Sequence, residues 1–282
     1  NARRGAKQSH KPLLYFGALH PEDVWGFERQ LIYQSIAEAA GFLAATSFEK
    51  SFLVERGIDP GKITVLGAGV DVDELAKADG RSWRTFHQLT DEPLIAFVGQ
   101  QVAHKGIDTL LQAMPSIWQQ LATTRLVIAG KPTVYSQTIR NMLAKLPPTQ
   151  QPNVLLLDSP TDAEKNGLLA ACDLLALPSR HESFGMVLAE AWACGKPVVG
   201  CRVGGVAALV DDKQDGLLVP VGDAEALAQA LLRLLQNPSL RKEMGAAGKE
   251  KVEVRYTWEA VTAVYREACL VAINHFQQER RE

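Results

Sequence analysis

The run from Asp173 to Cys201, DLLALPSRHESFGMVLAEAWACGKPVVGC, holds residue types whose spacing could do chemistry. Leu174–Leu177 reads as a short buried strand that ends at Pro178, and Ser179-Arg180-His181-Glu182 reads as the loop leaving it. Ser183 can cap a helix that starts near Phe184 and ends at Gly195, before Pro197 opens the next strand. A helix start offers unpaired N–H groups and a partial positive charge, which favour an anion. Gly185 has no side chain to keep a phosphate away from those N–H groups. Glu182, Met186 and Glu190 recur at intervals of four, which sets them along roughly one face. Two carboxylates would repel a bare phosphate. They make sense if each holds hydroxyls on either side of it, because a carboxylate can accept two hydrogen bonds from a vicinal diol. A nucleotide sugar has that layout: ribose diol, diphosphate, sugar hydroxyls. The residues alone leave a plainer reading open, with Glu182 as a helix cap and Glu190 on the surface. Against it, Val187, Leu188, Ala189, Ala191 and Trp192 surround Glu190 with apolar residues.

Elements able to position such a site recur along the chain. Apolar runs rich in Val, Ile and Leu stand at 13–16, 42–45, 63–66, 94–98, 126–129, 154–157, 174–177, 198–199 and 217–219. Segments of helical period lie between most of them. Fully apolar runs suit strands covered on both faces, and the β-α-β-α rhythm predicts an α/β fold built on a doubly wound parallel sheet. In such sheets ligands bind where loops leave the carboxyl ends of strands. Residues 67–93 are polar, contain glycine and end in Pro93, so they read as a linker between two α/β units. The chain then divides into 1–75, a partial α/β unit with three strand candidates; 76–255, a Rossmann-like unit with six; and 256–282, a C-terminal helix. In that helix Trp258, Val261, Val264, Tyr265, Ala268 and Val271 fall at helical spacing and read as a buried stripe.

Composition excludes several classes. The chain has 282 residues, 46% of them hydrophobic, and carries 30 basic and 32 acidic residues for a net charge of −2. A sizeable core can form, and no basic excess points to nucleic acid. No apolar run approaches the ~20 residues of a membrane-spanning helix, and no signal peptide is visible. A cytoplasmic protein is the expectation. Cys172, Cys194, Cys201 and Cys269 lack C-x-x-C spacing and sit among apolar residues. They are expected to be buried free thiols in a reducing compartment, and no histidine stands at zinc-ligand spacing from them. No G-x-G-x-x-G follows a first strand, which argues against a dinucleotide-dependent oxidoreductase. Gly195-Lys196 runs into Pro197 without the upstream glycine of a phosphate-binding loop of NTPases.

E-S-F-G-M-V-L-A-E-A-W-A-C-G-K-P-V-V resembles the E-x7-E signature of the family 4 glycosyltransferases, which have the GT-B fold. Further motifs resemble that family in the same order. They are Ile63-Thr64-Val65-Leu66-Gly67-Ala68-Gly69-Val70-Asp71 at the hinge, Phe97-Val98-Gly99 with Lys105-Gly106, Leu126-Val127-Ile128-Ala129-Gly130, Val203-Gly204-Gly205, and Asp215-Gly216-Leu217-Leu218-Val219-Pro220. The resemblance covers about residues 13–265. It implies a Rossmann-like donor unit, a partial second α/β unit facing it, and transfer of a hexose-type sugar with retention of anomeric configuration. Glu190 would bind the ribose hydroxyls, and Glu182 would hold the donor sugar near the anomeric carbon. Ser183, Phe184, Gly185, Met186 and Val187 would present the diphosphate site, with Gly99, Gln100 and Gly130 also at the donor. Lys105 would offset charge developing on the leaving diphosphate, and His20, after an N-terminal strand, would lie near the reacting centre. The resemblance implies no metal and no cofactor: a UDP- or GDP-sugar is the substrate. The acceptor would be a sugar, lipid or small molecule, with peripheral contact to the inner membrane face through the missing N-terminal half.

Departures from the pattern narrow these expectations. The family commonly has arginine where Gln100 stands, and a neutral amide lacks the bidentate charged contact with phosphate. Arg180 and Arg202 are the cations that could compensate. Ala68 replaces the hinge asparagine, and Asp158 stands in a loop expected near the nucleobase. His181, beside Glu182, can touch sugar or pack the loop. Asp71-Val72-Asp73 is formally D-x-D but lies in the hinge and reads as a solvated turn. With only the tail of the acceptor-side unit in hand, a complete donor half with weak or no transfer is expected. A donor-binding module without catalysis is the competing reading.

Overall fold

Each apolar run becomes a strand. The computed structural model describes residues 2–17 and 30–278. Among them β1 (Leu14–Gly17), β2 (Gly41–Ala44) and β3 (Ile63–Val65) form a parallel sheet in the order β1-β2-β3. A second parallel sheet holds β4 (Leu94–Val98), β5 (Arg125–Gly130), β6 (Val154–Asp158), β7 (Leu174–Leu177), β8 (Val198–Cys201) and β9 (Gly216–Val219). Its order is β6-β5-β4-β7-β8-β9. Successive strands first step one way from β4, then return to its other side at β7. That reversal opens a crevice between the loops leaving β4 and β7, where doubly wound sheets bind ligands. β4, β7 and β8 are buried along their whole length, as helices on both faces require. Each fully buried Leu, Ile or Phe here contributes roughly 1.5–3 kcal/mol.

Residues 67–93 are not an open linker. Val72–Ala76 and Gly80–Phe86 are helices, capped by Asp71, which accepts from the Glu74 N–H, and by Asp79, which accepts from the Arg81 and Ser82 N–H groups. The D-x-D stretch is therefore a helix start. Trp83 is the single large anchor of the second helix, and it packs so tightly on the Asp162–Ala171 helix that a Cβ at Gly167 would lie 2.6 Å from its ring. Short helices with polar faces and one buried aromatic show little periodicity, which is why this segment reads as a linker.

The long Pro238–Arg255 helix runs along the Met186–Ala193 helix, and a Cβ at Gly248 would lie 2.0 Å from Trp192. The chain then turns at Tyr256, whose carbonyl accepts from the Val70 N–H at 2.7 Å, and the Trp258–Gln278 helix returns to pack on β2. Its expected stripe is corrected: Val261 and Ala268 are buried, together with Ala272, while Trp258, Val264, Tyr265 and Val271 are exposed. Among the described residues the sheet that this helix meets has three strands, and small alanines are enough to contact it. No helix among the described residues is long and apolar enough to cross a membrane.

All four cysteines are free; Cys172 and Cys201 are buried, while Cys194 and Cys269 are half-buried. Burial pushes the Cys172 thiol up to about 12 and the Cys194 and Cys201 thiols to about 11. The thiolate is the reactive form. These three cysteines are expected to resist iodoacetamide near neutral pH in the folded protein and to label fully in guanidinium. Peptide mass spectrometry that found them alkylated in the native state would contradict this.

Candidate donor site

The loop after β4 and the loop after β7 meet at the switch point. Two glycines shape the approach. A Cβ at Gly130, the last residue of β5, would lie 1.8 Å from the Gly99 carbonyl, so the β4 and β5 ends touch backbone to backbone. Gly106, at φ +72°, follows Lys105 in a left-handed conformation, and a Cβ there would lie 2.0 Å from the Pro178 carbonyl. Only glycine allows either approach. Past Gly99 the chain closes one turn of 3₁₀-helix at Ala103–Lys105, from which Lys105 reaches Glu182 on the loop after β7.

Lys105 Nζ and Glu182 Oε2 are 2.5 Å apart, with side-chain exposures of 19% and 11%. An ion pair this well removed from water persists only where each charge has its partner. The Ser179 hydroxyl also reaches Glu182 Oε2, at 3.4 Å. The backbone of Glu182 is pinned from the other side, its carbonyl accepting from the Gly205 N–H at 3.1 Å. A Cβ at Gly205 would lie 2.0 Å from the Ser183 carbonyl, so the Gly204-Gly205 turn seats this loop.

The helix after the loop is Met186–Ala193, and its N-cap is Gly185 at φ +86°, with no side-chain cap. Ser183 and Phe184 thus lie before the helix, and Ser183 does not cap it. The left-handed glycine delays the helix start, so Glu182 sits in the loop and does not share a helix face with Met186 and Glu190. Phe184 and Val187 are buried, Phe184 edge-on to Tyr256 at 5.4 Å, while Met186 is exposed. In the first turn the Leu188 N–H already donates to the Gly185 carbonyl at 2.8 Å, while the N–H groups of Met186 and Val187 come before any intrahelical acceptor.

Glu190 lies one turn inside, its Oε1 at 2.7 Å from Lys165 Nζ on the Asp162–Ala171 helix. That helix begins with a capping box between Thr161 and Glu164, which brings Lys165 to this position. The pair borders a cavity of 590 Å³ that Asp71, Glu74, Asp79, Asp162 and Asn166 also line. Glu190 is therefore not a free surface carboxylate.

The neighbouring cations are already engaged. Arg202 pairs with Asp212 at 2.8 Å, and Arg180 with Asp108 at 2.6 Å. Gln100 is exposed on the β4 loop. Its neighbour Gln101 is fully buried and donates to Asp158 Oδ1 at 2.7 Å and to the Gly130 carbonyl at 3.2 Å. The other Asp158 oxygen takes Arg140 at 2.5 Å. The Gln101 hydrogen bond, with help from Arg140, holds the Asp158 carboxyl below its ordinary value. His181 packs the loop: its ring stacks on His104 at 4.4 Å. His20 lies outside the described residues. Among those described, no three His, Cys, Asp or Glu side chains group as a metal site.

Sequence reasoning brought Gly99, Lys105, Gly130, Glu182, Gly185 and Glu190 to one end of one sheet. It missed Lys165, Gln101 and the Arg180–Asp108 pair. Lys165 had a local signal, since T-D-A-E at 161–164 is a capping box that fixes where the next side chain points. The other two are partnerships across 57 and 72 residues, for which local spacing carries no signal.

The sequence pattern of the family described as "Glycosyl transferases group 1" matches residues 81–251. A D-inositol 3-phosphate glycosyltransferase of Segniliparus rotundus is 33% identical over 242 residues, covering 83% of this chain and 54% of that protein. The chain thus spans about half the length of this curated relative. Sucrose-phosphate synthase of Thermosynechococcus elongatus superposes with a TM-score of 0.77 at 25% identity, covering 93% of this chain and 70% of the other. The Anabaena protein HepE, crystallised with UDP and glucose, superposes with a TM-score of 0.81 at 20% identity, covering 94% and 72%. These likenesses show the fold, parallel sheets flanked by helices in the GT-B manner.

Proposed function

The chain belongs to the glycosyl transferases group 1 family, and from that premise we propose that it binds a nucleotide sugar across the β4–β7 crevice. The reaction we assign is transfer of a hexose-type sugar to an acceptor with retention, as in family 4 enzymes, without a metal or cofactor. The observation that carries this reading is the Lys105–Glu182 pair at 2.5 Å, set at the switch point between loops that only glycine can bring together. Breaking the bond from the anomeric carbon to the diphosphate leaves the electron pair on a phosphate oxygen. Lys105 offsets that charge, and the N–H groups at Phe184–Val187 hold the diphosphate. Glu182 faces the sugar, and Glu190, steadied by Lys165, takes the ribose diol. His20 keeps its place in the proposal as a group near the reacting centre. The acceptor is a sugar, lipid or small molecule; the name of the Segniliparus relative makes inositol phosphate the first to try. A cytoplasmic setting, with contact to the inner membrane face through an acceptor-side half, completes the proposal.

Titration calorimetry with UDP and GDP, repeated with Glu190→Gln, tests the donor site. Losing the charged acceptor is expected to weaken nucleoside diphosphate binding by about 10- to 100-fold, the size of a hydrogen bond to a charged group. Unchanged affinity would remove the ribose role. A turnover assay in EDTA, with the product's anomeric configuration read by NMR, tests metal independence and retention together. Gln100 favours a second reading, a donor-binding module that transfers poorly, because its amide adds no second cation beside Lys105. Tight UDP or GDP binding without turnover would select it.

A further inference from the structure

Resting on the donor-site reading, we infer that Arg180 is a positioning residue that locks the Lys105 loop to the Glu182 loop. It is not a second phosphate ligand. The Arg180 N–H donates to the His104 carbonyl at 2.7 Å, and Nη1 donates to the Ala103 carbonyl. Nη2 reaches Asp108 Oδ2 at 2.6 Å, on the first turn of the Ile107–Gln120 helix. One arginine thus ties the β7 loop to two carbonyls of the Ala103–Lys105 turn and to the helix that follows it. The planar guanidinium can serve two acceptors in fixed directions, which lysine cannot. The His104–His181 stack at 4.4 Å and the close approach of Gly106 to Pro178 join the same two loops on either side. Lys105 stands inside this frame, and its contact with Glu182 depends on both loops keeping their spacing.

Asp108 decides between positioning and direct phosphate contact, because the two roles give opposite signs. If Arg180 were a phosphate ligand held back by Asp108, Asp108→Asn would release it and tighten diphosphate binding. As a lock, Arg180 needs Asp108, so Asp108→Asn loosens the loop and weakens binding. Calorimetry on the full chain would compare UDP and GDP with uridine and guanosine for wild type, Arg180→Ala, Asp108→Asn and the double variant. Each single variant is expected to lose about three- to tenfold in diphosphate affinity, the size of couplings between contacting residues. Nucleoside affinity should stay unchanged, and the double variant should be no worse than the weaker single. A general loss of folding would lower diphosphate and nucleoside binding alike. Tighter or unchanged diphosphate binding by Asp108→Asn overturns the proposal. Hydrogen exchange supplies a second measurement that needs no ligand. In Arg180→Ala the Lys105 and Gly106 amides, bonded to the Val102 and Ala103 carbonyls, should exchange faster while those of β4 do not. Unchanged exchange at both amides would also overturn it. If wild type bound no nucleoside diphosphate, the donor-site reading would fail, while the exchange result would still decide whether Arg180 is the lock.

Discussion

Alanine at Lys105 is expected to lower kcat of the proposed transfer by about 10²–10³, the usual effect of removing one donor aimed at developing charge. Two features make this the largest functional effect. Gln100, Arg180 and Arg202 supply no free cation beside the crevice, since the first is neutral and the arginines are engaged. The low exposure of the Lys105–Glu182 pair also strengthens any charge interaction there over its value in water. The ground-state diphosphate feels Lys105 less than the departing one, so KM should change by less than kcat. Arginine at this position keeps the charge but not the compact ammonium, and a longer, planar group cannot keep the 2.5 Å contact that Lys105 Nζ makes with Glu182 without moving it. Lys105→Arg is therefore expected to recover only part of the loss. Steady-state kinetics for both variants checks the split, and a Lys105→Ala enzyme with unchanged kcat would remove Lys105 from the mechanism.

The same crevice shows which parts of a site a sequence can make legible. The nine strands among the described residues stand where apolar runs predict them, since a strand covered on both faces leaves a run that no surface segment imitates. Gly99, Gly106 and Gly130 were legible as motif positions. For Gly106 and Gly130 the reason for being glycine was not, because the carbonyls they approach, of Pro178 and Gly99, follow other strands. Ser183 fits the cap rule and still does not cap, since Gly185 enters the left-handed region and starts the helix later. The helices at Val72–Ala76 and Gly80–Phe86 were hidden by polarity, and the stripe on the last helix was overread. Periodicity shows which residues share a face. It does not show whether anything faces them, and of the expected stripe only Val261 and Ala268 are buried.

Charge partners are the least legible layer, and one of them holds the donor helix in place. Asp215 is 2% exposed, and its carboxylate pairs with Lys251 of the Pro238–Arg255 helix. Lys251 also donates to the Leu209 carbonyl at 2.9 Å and lies 5.0 Å from the Trp192 ring centre, while the Trp192 indole N–H donates to the Asp215 carbonyl at 2.8 Å. Trp192 belongs to the helix that carries Glu190, so this cluster fixes the donor helix against the brace behind it. Lys251→Met removes the ammonium and leaves a buried carboxylate unpaired. The expected loss is about 3–5 kcal/mol near neutral pH, the cost of breaking a buried pair from one side. Burial already raises the Asp215 carboxyl above its ordinary value, against the pull of Lys251. Without that lysine it rises further. A carboxyl raised in the folded state favours folding below its unfolded pKa and loses that contribution as pH climbs through the folded one. The variant's deficit should therefore shrink on acidification from neutral toward about pH 4, where the unfolded aspartate begins to protonate. Adding Asp215→Asn to Lys251→Met should restore part of the stability at neutral pH and flatten the pH dependence. Denaturant titrations of the three proteins at both pH values measure this. A deficit that did not change with pH would show that Lys251 acts through packing on Trp192 and not through the charge of Asp215.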